Sequence, residues 1–169
     1  YHSIADERED LTIAGCWSHA RRGFAEVVKA AGKKDVGIRQ SVAYKSLQLI
    51  QTMSRYEETF AKMEPAERLE ARIHYVLPLV DAFFAYLKSK EGSVAPKSAT
   101  GKAIRYCLNQ ETFLRVFLTD GYVPMTNNAA ERSIRPFTVG RNNWFQIDTV
   151  SGAKAAQSHT VLPRQQRQT

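Results

Sequence analysis

The chain has 169 residues, enough for one hydrophobic core and too few for two comfortable domains. Its hydrophobic fraction of 43% is that of an ordinary globular protein and excludes global disorder. No apolar run approaches the ~20 residues that cross a bilayer, and no signal-peptide pattern opens the chain, so no membrane partner is expected. The net charge is +7, and beyond Glu131 six bases (Arg132, Arg135, Arg141, Lys154, Arg164, Arg167) stand against one acid, Asp148. Such an end suits a polyanion such as DNA, against the plainer reading of a soluble basic surface.

In chain order, a polar opening is followed by "LTIAGC" (Leu11–Cys16), short, β-branched and apolar, which predicts one buried strand. An isolated strand is marginal without a sheet, so its neighbours are expected outside this chain. The start at Tyr1 without an initiator Met likewise reads as a fragment or a processed form. Ser18 is placed to cap the next helix, whose Phe24, Val27, Val28 and Ala31 share a face and which Gly32 ends. From Ile38 to Met63, apolar residues at Ile38, Val42, Leu49, Met53, Tyr56 and Phe60 predict one long amphipathic helix.

Pro65 suits the first turn of the following helix, with Glu67 near its positive end. Pro78 should kink or interrupt it, lacking an N–H and clashing with the preceding turn. Phe83, Phe84 and Tyr86 read as core, and His74 as structural. "KEGSVAPKSATG" reads as a loop, Ser98 as the cap of a helix through Asn109, and "ETFLRVFL" as one more helix before a turn at Asp120-Gly121. The fold class is mainly α, a helical bundle with one or two short strands. Cys16 and Cys107 lie far apart and in no metal-binding spacing, so both are expected as buried, reduced thiols of a cytosolic protein.

The chemistry concentrates in "NNAAERSIRPF", Asn127–Phe137. Thr126 or Asn127 can cap a helix starting near Asn128, which puts Glu131 in the first turn and Arg135 four residues later on the same face. Two readings stay open on the residues alone. One is a capping acid with a surface ion pair contributing about 0.3–0.5 kcal/mol; the other is one corner of a metal site facing phosphates. Arg132 and Arg135 are the better phosphate candidates, since the guanidinium fork matches phosphate oxygens. Arg141, Asn143 and Trp144 can combine phosphate contact with stacking, although Trp144 and Phe145 also suit a core. His19, Arg21 and Arg22 at a strand-to-helix junction can reach DNA, or be a plain exposed helix start.

The blocks "GCWSHARRGF", "APKSATGKAIRYCLNQ", "FLTDGYVPMTNNAAERSIRPF" and "VGRNNWF", in this order, resemble the C-terminal half of insertion-sequence-66 family transposases. The resemblance runs from about Gly15 to about Ala156 and implies an RNase-H-like fold with an Asp-Asp-Glu triad. It places the last acid on Glu131, with Mg²⁺ or Mn²⁺ as cofactor and DNA strand cleavage and transfer as the reaction. The family's two aspartates lie upstream of the "GCWSHARR" block, and neither Asp6 nor Asp10 matches them. The expectation is therefore a catalytic-domain fragment over 1–156, with a helical insertion over about 38–118. It would carry one third of the site, bind no metal alone and not cut DNA.

Expected partners are transposon-end DNA and the missing upstream part, with a homo-oligomer left open, in the bacterial cytoplasm at the nucleoid. The rival reading is a non-catalytic, basic helical module that binds nucleic acid or a protein partner. Three departures from the family stand out: Thr126 where Asp is common, "GRNNW" where GRKNW is common, and the tail "QSHTVLPRQQRQT". A family-like tail, AIAYSIAETAKAN, can be encoded so that a one-base slip yields this one. Residues 157–169 are therefore expected as a frameshifted, unstructured tail.

Overall fold

A computed structural model describes residues 12–32 and 36–128. The chain divides into two compact units, Tyr1–Thr126 and Asn127–Thr169. The first is mainly helical, as the periodicity requires. Its elements are α1 (Trp17–Ala31), a 3₁₀ turn (Val36–Gln40), α2 (Val42–Thr59), α3 (Pro65–Ala71), a π-helical turn (Arg72–Val76), α4 (Leu77–Glu91), α5 (Ala99–Asn109), α6 (Glu111–Arg115) and a closing 3₁₀ turn (Val116–Leu118). Of the second unit, only Asn127 and Asn128 are described.

Helix starts follow local chemistry. Ser98 caps α5, its hydroxyl accepting the Gly101 N–H at 3.0 Å. Ser41 does the same for α2 through the Tyr44 N–H at 3.2 Å. That cap corrects the single helix expected from Ile38 to Met63: Ser41 is extended, so the chain enters as a 3₁₀ turn and restarts at Val42, and the helix stops at Thr59. Ser18 is not the cap of α1. That helix starts two residues earlier, behind an extended Cys16 with no side-chain cap. Gly32, at φ 75°, ends it as expected, a backbone region that L side chains rarely adopt.

No strand is present among the described residues. The described part of the expected strand, 12–16, is not paired in a ladder. It is tied down instead by the Gly15 N–H donating to the Phe113 carbonyl at 2.7 Å and the Trp17 N–H donating to the Met125 carbonyl at 3.2 Å. Leu11 lies outside the described residues. Pro78 interrupts the long helix as predicted, and the form is specific. The Leu77 N–H reaches back five residues to the Arg72 carbonyl, and the helix makes a π turn before Pro78 restarts it in the first turn of α4.

The core centres on Trp17, fully buried at the start of α1. Its ring meets Phe83, Phe84 and Phe117 edge-on at 5.3, 6.1 and 6.2 Å between centroids. Its indole N–H donates to the Leu114 carbonyl at 2.8 Å, so a buried polar tip is satisfied. Phe83 and Phe84 are core as expected, and Tyr86 packs half-buried against it. His74 is exposed on the π turn, its ring edge-on to Tyr75 at 4.6 Å.

The second anchor is Arg72, 1% exposed. Its fork grips the Glu57 carboxylate at 2.8 and 2.7 Å. Its remaining nitrogen donates to the carbonyls of Phe117, Asp120 and Val123 at 2.7, 3.0 and 2.9 Å, while the guanidinium lies 5.2 Å from the Phe117 ring centre. One buried arginine thereby joins α2, the π turn and the 117–123 segment. Gly121 makes this possible by close approach, because a Cβ there would sit inside the Pro65 carbonyl.

Candidate nucleic-acid interface

Three of the candidate site residues, His19, Arg21 and Arg22, fall on α1. All three are exposed. His19 and Arg22 stand on one face of that helix with Ala20, Gly23, Glu26, Val27 and Ala30, and this face forms one wall of a groove of about 600 Å³. The opposite wall is α5, through Ala99, Lys102, Ala103 and Tyr106. Arg21 is not among the groove's lining residues. The two helices approach closely because Gly23 has no side chain: a Cβ there would come within 3.0 Å of the Ala103 Cβ.

The two walls are basic out of proportion to the rest of the bundle. Helix α1 carries Arg21, Arg22 and Lys29 against Glu26, and α5 carries Lys102 and Arg105 with no acid. By contrast, α2 balances Lys45 and Arg55 with Glu57 and Glu58. The stretch 65–91 balances Arg68, Arg72, Lys88 and Lys90 with Glu67, Glu70, Asp81 and Glu91. Arg22, Lys102 and Arg105 are exposed and form no ion pair with a described residue. Unneutralised cations on two adjoining helices raise the local potential for an anionic partner.

Tyr106 stands at the groove with 42% of its surface exposed. Burial of its inner edge, and after it the charges of Cys107 and Cys16, push its phenol above the ordinary value, so it stays neutral at physiological pH. Cys107 beneath is fully buried, and burial pushes its thiol up to about 12. It is an inert packing residue. Cys16 corrects the expectation of two buried thiols, because it is only half-buried; the two cysteines are not joined in a disulfide.

Lys102, Arg105 and Tyr106 were not singled out in the sequence. The available signal was the i, i+3, i+4 spacing of Ala99, Lys102, Ala103 and Tyr106, which marks one face of α5, but nothing local pairs that face with α1. Glu131, Arg132, Arg135, Arg141 and Asn143 lie outside the described residues. Among the described residues, no group of three or more His, Cys, Asp or Glu side chains is arranged to hold a metal ion. No described helix is long and apolar enough to cross a membrane.

Residues 1–155 match the Transposase IS66 family. The chain belongs to this transposase family. It is 34% identical over 146 residues to the uncharacterized protein y4qI of Sinorhizobium fredii, covering 86% of this chain and 26% of that protein. It is 31% identical over 159 residues to y4hP of the same organism, covering 90% of this chain and 29% of the relative. The family chain thus spans between a quarter and a third of the length of these curated relatives. No solved structure matches it.

Proposed function

We propose that this chain is the C-terminal part of a transposase catalytic region, acting in cleavage and strand transfer of transposon-end DNA. The observation that carries the reading is the family match across residues 1–155, joined to the chain's coverage of only 26% and 29% of the two relatives. Within it, Glu131 is the third metal-binding acid, and two aspartates from the rest of the polypeptide complete the set. When bound, Mg²⁺ or Mn²⁺ supplies Lewis-acid activation of the attacking oxygen and stabilises charge building on phosphorus. Glu131 contributes hard oxygen donors suited to such an ion, and Arg132 and Arg135 beside it hold the phosphate. The basic walls of α1 and α5 add a surface that tracks the DNA backbone. Residues 157–169 take no part.

The test is nicking of transposon-end DNA by the full-length polypeptide with Mg²⁺ or Mn²⁺. Glu131→Gln should abolish it while DNA binding persists. Nicking that survives this substitution removes Glu131 from the catalytic set. The 169-residue chain alone should bind DNA without cutting it, with affinity that falls steeply as salt rises through counterion release. Salt-insensitive binding would count against the phosphate-contact reading.

A further inference from the structure

The groove between α1 and α5 has two features that a surface for duplex phosphates does not need. Five of its lining residues are small, Ala20, Gly23, Ala30, Ala99 and Ala103, with Val27 beside them. Its wall includes a neutral, 42% exposed aromatic ring, Tyr106. Phosphates need only cations, and these stand in the same lining as Arg22 and Lys102. Small apolar residues, an exposed aromatic ring and cations in one lining together suit a flat heteroaromatic ring attached to an anionic backbone. The volume, about 600 Å³, lies in the range of small-ligand sites. A protein helix fits less well, because cores of protein interfaces are depleted in lysine and Lys102 is part of the lining.

We infer that the α1/α5 groove receives an unpaired nucleotide of the DNA, its base against Tyr106 and its flanking phosphates on Arg22 and Lys102. This rests on the reading of the chain as a DNA-binding transposase part and adds to it a preference for single-stranded or melted DNA. Gly23 lets α1 and α5 close up against Ala103, and the small residues beside that contact leave the groove open for a base to lie over it. Tyr106 gives it a face to stack on whatever the base's identity, so the site is sequence-tolerant. Glu26 is the one acid in the lining and stands four residues after Arg22 on the same face of α1, so of the two cations Lys102 is the less offset by a neighbouring acid.

The experiment is a two-by-two cycle on the 169-residue chain, with affinities measured by fluorescence anisotropy at fixed salt. Wild type and Tyr106→Ala are each titrated with a short single-stranded oligonucleotide and with the same oligonucleotide carrying abasic sites. Phosphate number is constant across the two oligonucleotides, so only base contacts differ. On the intact strand, Tyr106→Ala should weaken binding about fivefold or more, and on the abasic strand by less than about twofold. Tyr106→Phe should behave as wild type, and Ala99→Leu, which narrows the groove from its α5 wall, should reproduce the Tyr106→Ala loss. Circular dichroism verifies that each variant stays folded.

Equal weakening on both strands, or none on either, overturns the groove assignment. So does stronger binding to duplex than to single strand in wild type. If the chain binds no DNA of any kind, the DNA-binding reading itself fails, which is a different outcome from duplex binding with a Tyr106→Ala effect of zero.

Discussion

On one side of the bundle Arg72 is 1% exposed and held by the Glu57 carboxylate and the carbonyls of Phe117, Asp120 and Val123. In the α1/α5 groove Arg22 and Lys102 are exposed and form no ion pair with a described residue. The same class of charge is spent in opposite ways. Around Arg72 every nitrogen has a partner, so the guanidinium costs its desolvation and returns rigidity, joining α2, the π turn and the 117–123 segment. Around the groove the charges stay hydrated, contribute little to folding, and keep their interaction free energy for something that arrives from outside. The contrast separates scaffold from surface within one small helical unit.

The largest effect that could break this contrast is expected at Arg72. Arg72→Met should destabilise the fold by about 3–5 kcal/mol, because it strands the Glu57 carboxylate in a mostly buried site. Replacing both partners should recover only part of that loss. The carbonyls of Phe117, Asp120 and Val123 would remain without their donor, unlike those of a simple ion pair. Arg22→Met in the groove should shift stability by less than about 0.5 kcal/mol. Urea denaturation of the three variants measures all of these, and an Arg22→Met loss as large as the Arg72→Met loss would erase the distinction.

A smaller effect is expected from two glycines of the scaffold. Gly121→Ala forces a methyl into the Pro65 carbonyl and should cost about 1–3 kcal/mol through overpacking. Gly92→Ala, where a Cβ meets nothing within 4 Å, should be neutral or slightly stabilising. The midpoint difference between the two in urea reads how firmly the turn at Asp120-Gly121 is seated on α3. Equal midpoints would mean that the segment relaxes and that Arg72, not packing, holds it.

Where the sequence was legible, a local device decided the outcome. Ser98, Pro65 and Gly32 each act within one turn, and the structure puts them where their chemistry requires. Misreadings arose where a competing local device, or a distant partner, decided. Ser41 captured the start of α2 from an apolar period that ran through it. The segment 12–16 opens on β-branched Thr12 and Ile13, yet forms no ladder; Gly15 and the adjoining Trp17 are tied to Phe113 and Met125, partners about a hundred residues away.

Arg72 had a readable signal. The buried stripe Val76, Val80, Phe83 and Leu87, extended back by four residues, lands on it, and Ile50 and Met53 lead to Glu57 in the same way on α2. An acid and a base on two apolar stripes are the mark of an inward pair. The groove had no such signal, since its walls come from helices some eighty positions apart. Of the candidate site, His19, Arg21 and Arg22 are exposed on α1, and only His19 and Arg22 share the groove.

The smallest expected effect lies at Glu111 on α6. Burial pushes its carboxyl up, but hydrogen bonds and charge from Lys88 and Arg115 outweigh this and hold it below the ordinary carboxylate value. Lys88 is 2.9 Å away and Arg115, which also reaches Asp81, 3.0 Å. A carboxyl whose value is lower folded than unfolded adds stability above the unfolded value of about 4.3 and loses it as pH falls through the folded one. The partners are 60% and 30% exposed, so screening keeps the contribution under about 1 kcal/mol. Glu111→Gln should therefore lie slightly below wild type in stability at pH 7, and the two curves should converge as the pH drops well below 4.3. Added salt should narrow the gap at pH 7. The Arg72–Glu57 pair should resist the same salt, being shielded from solvent, so a salt titration at pH 7 ranks the two ion pairs by burial. A gap at Glu111 that ignores salt would place that pair with the scaffold.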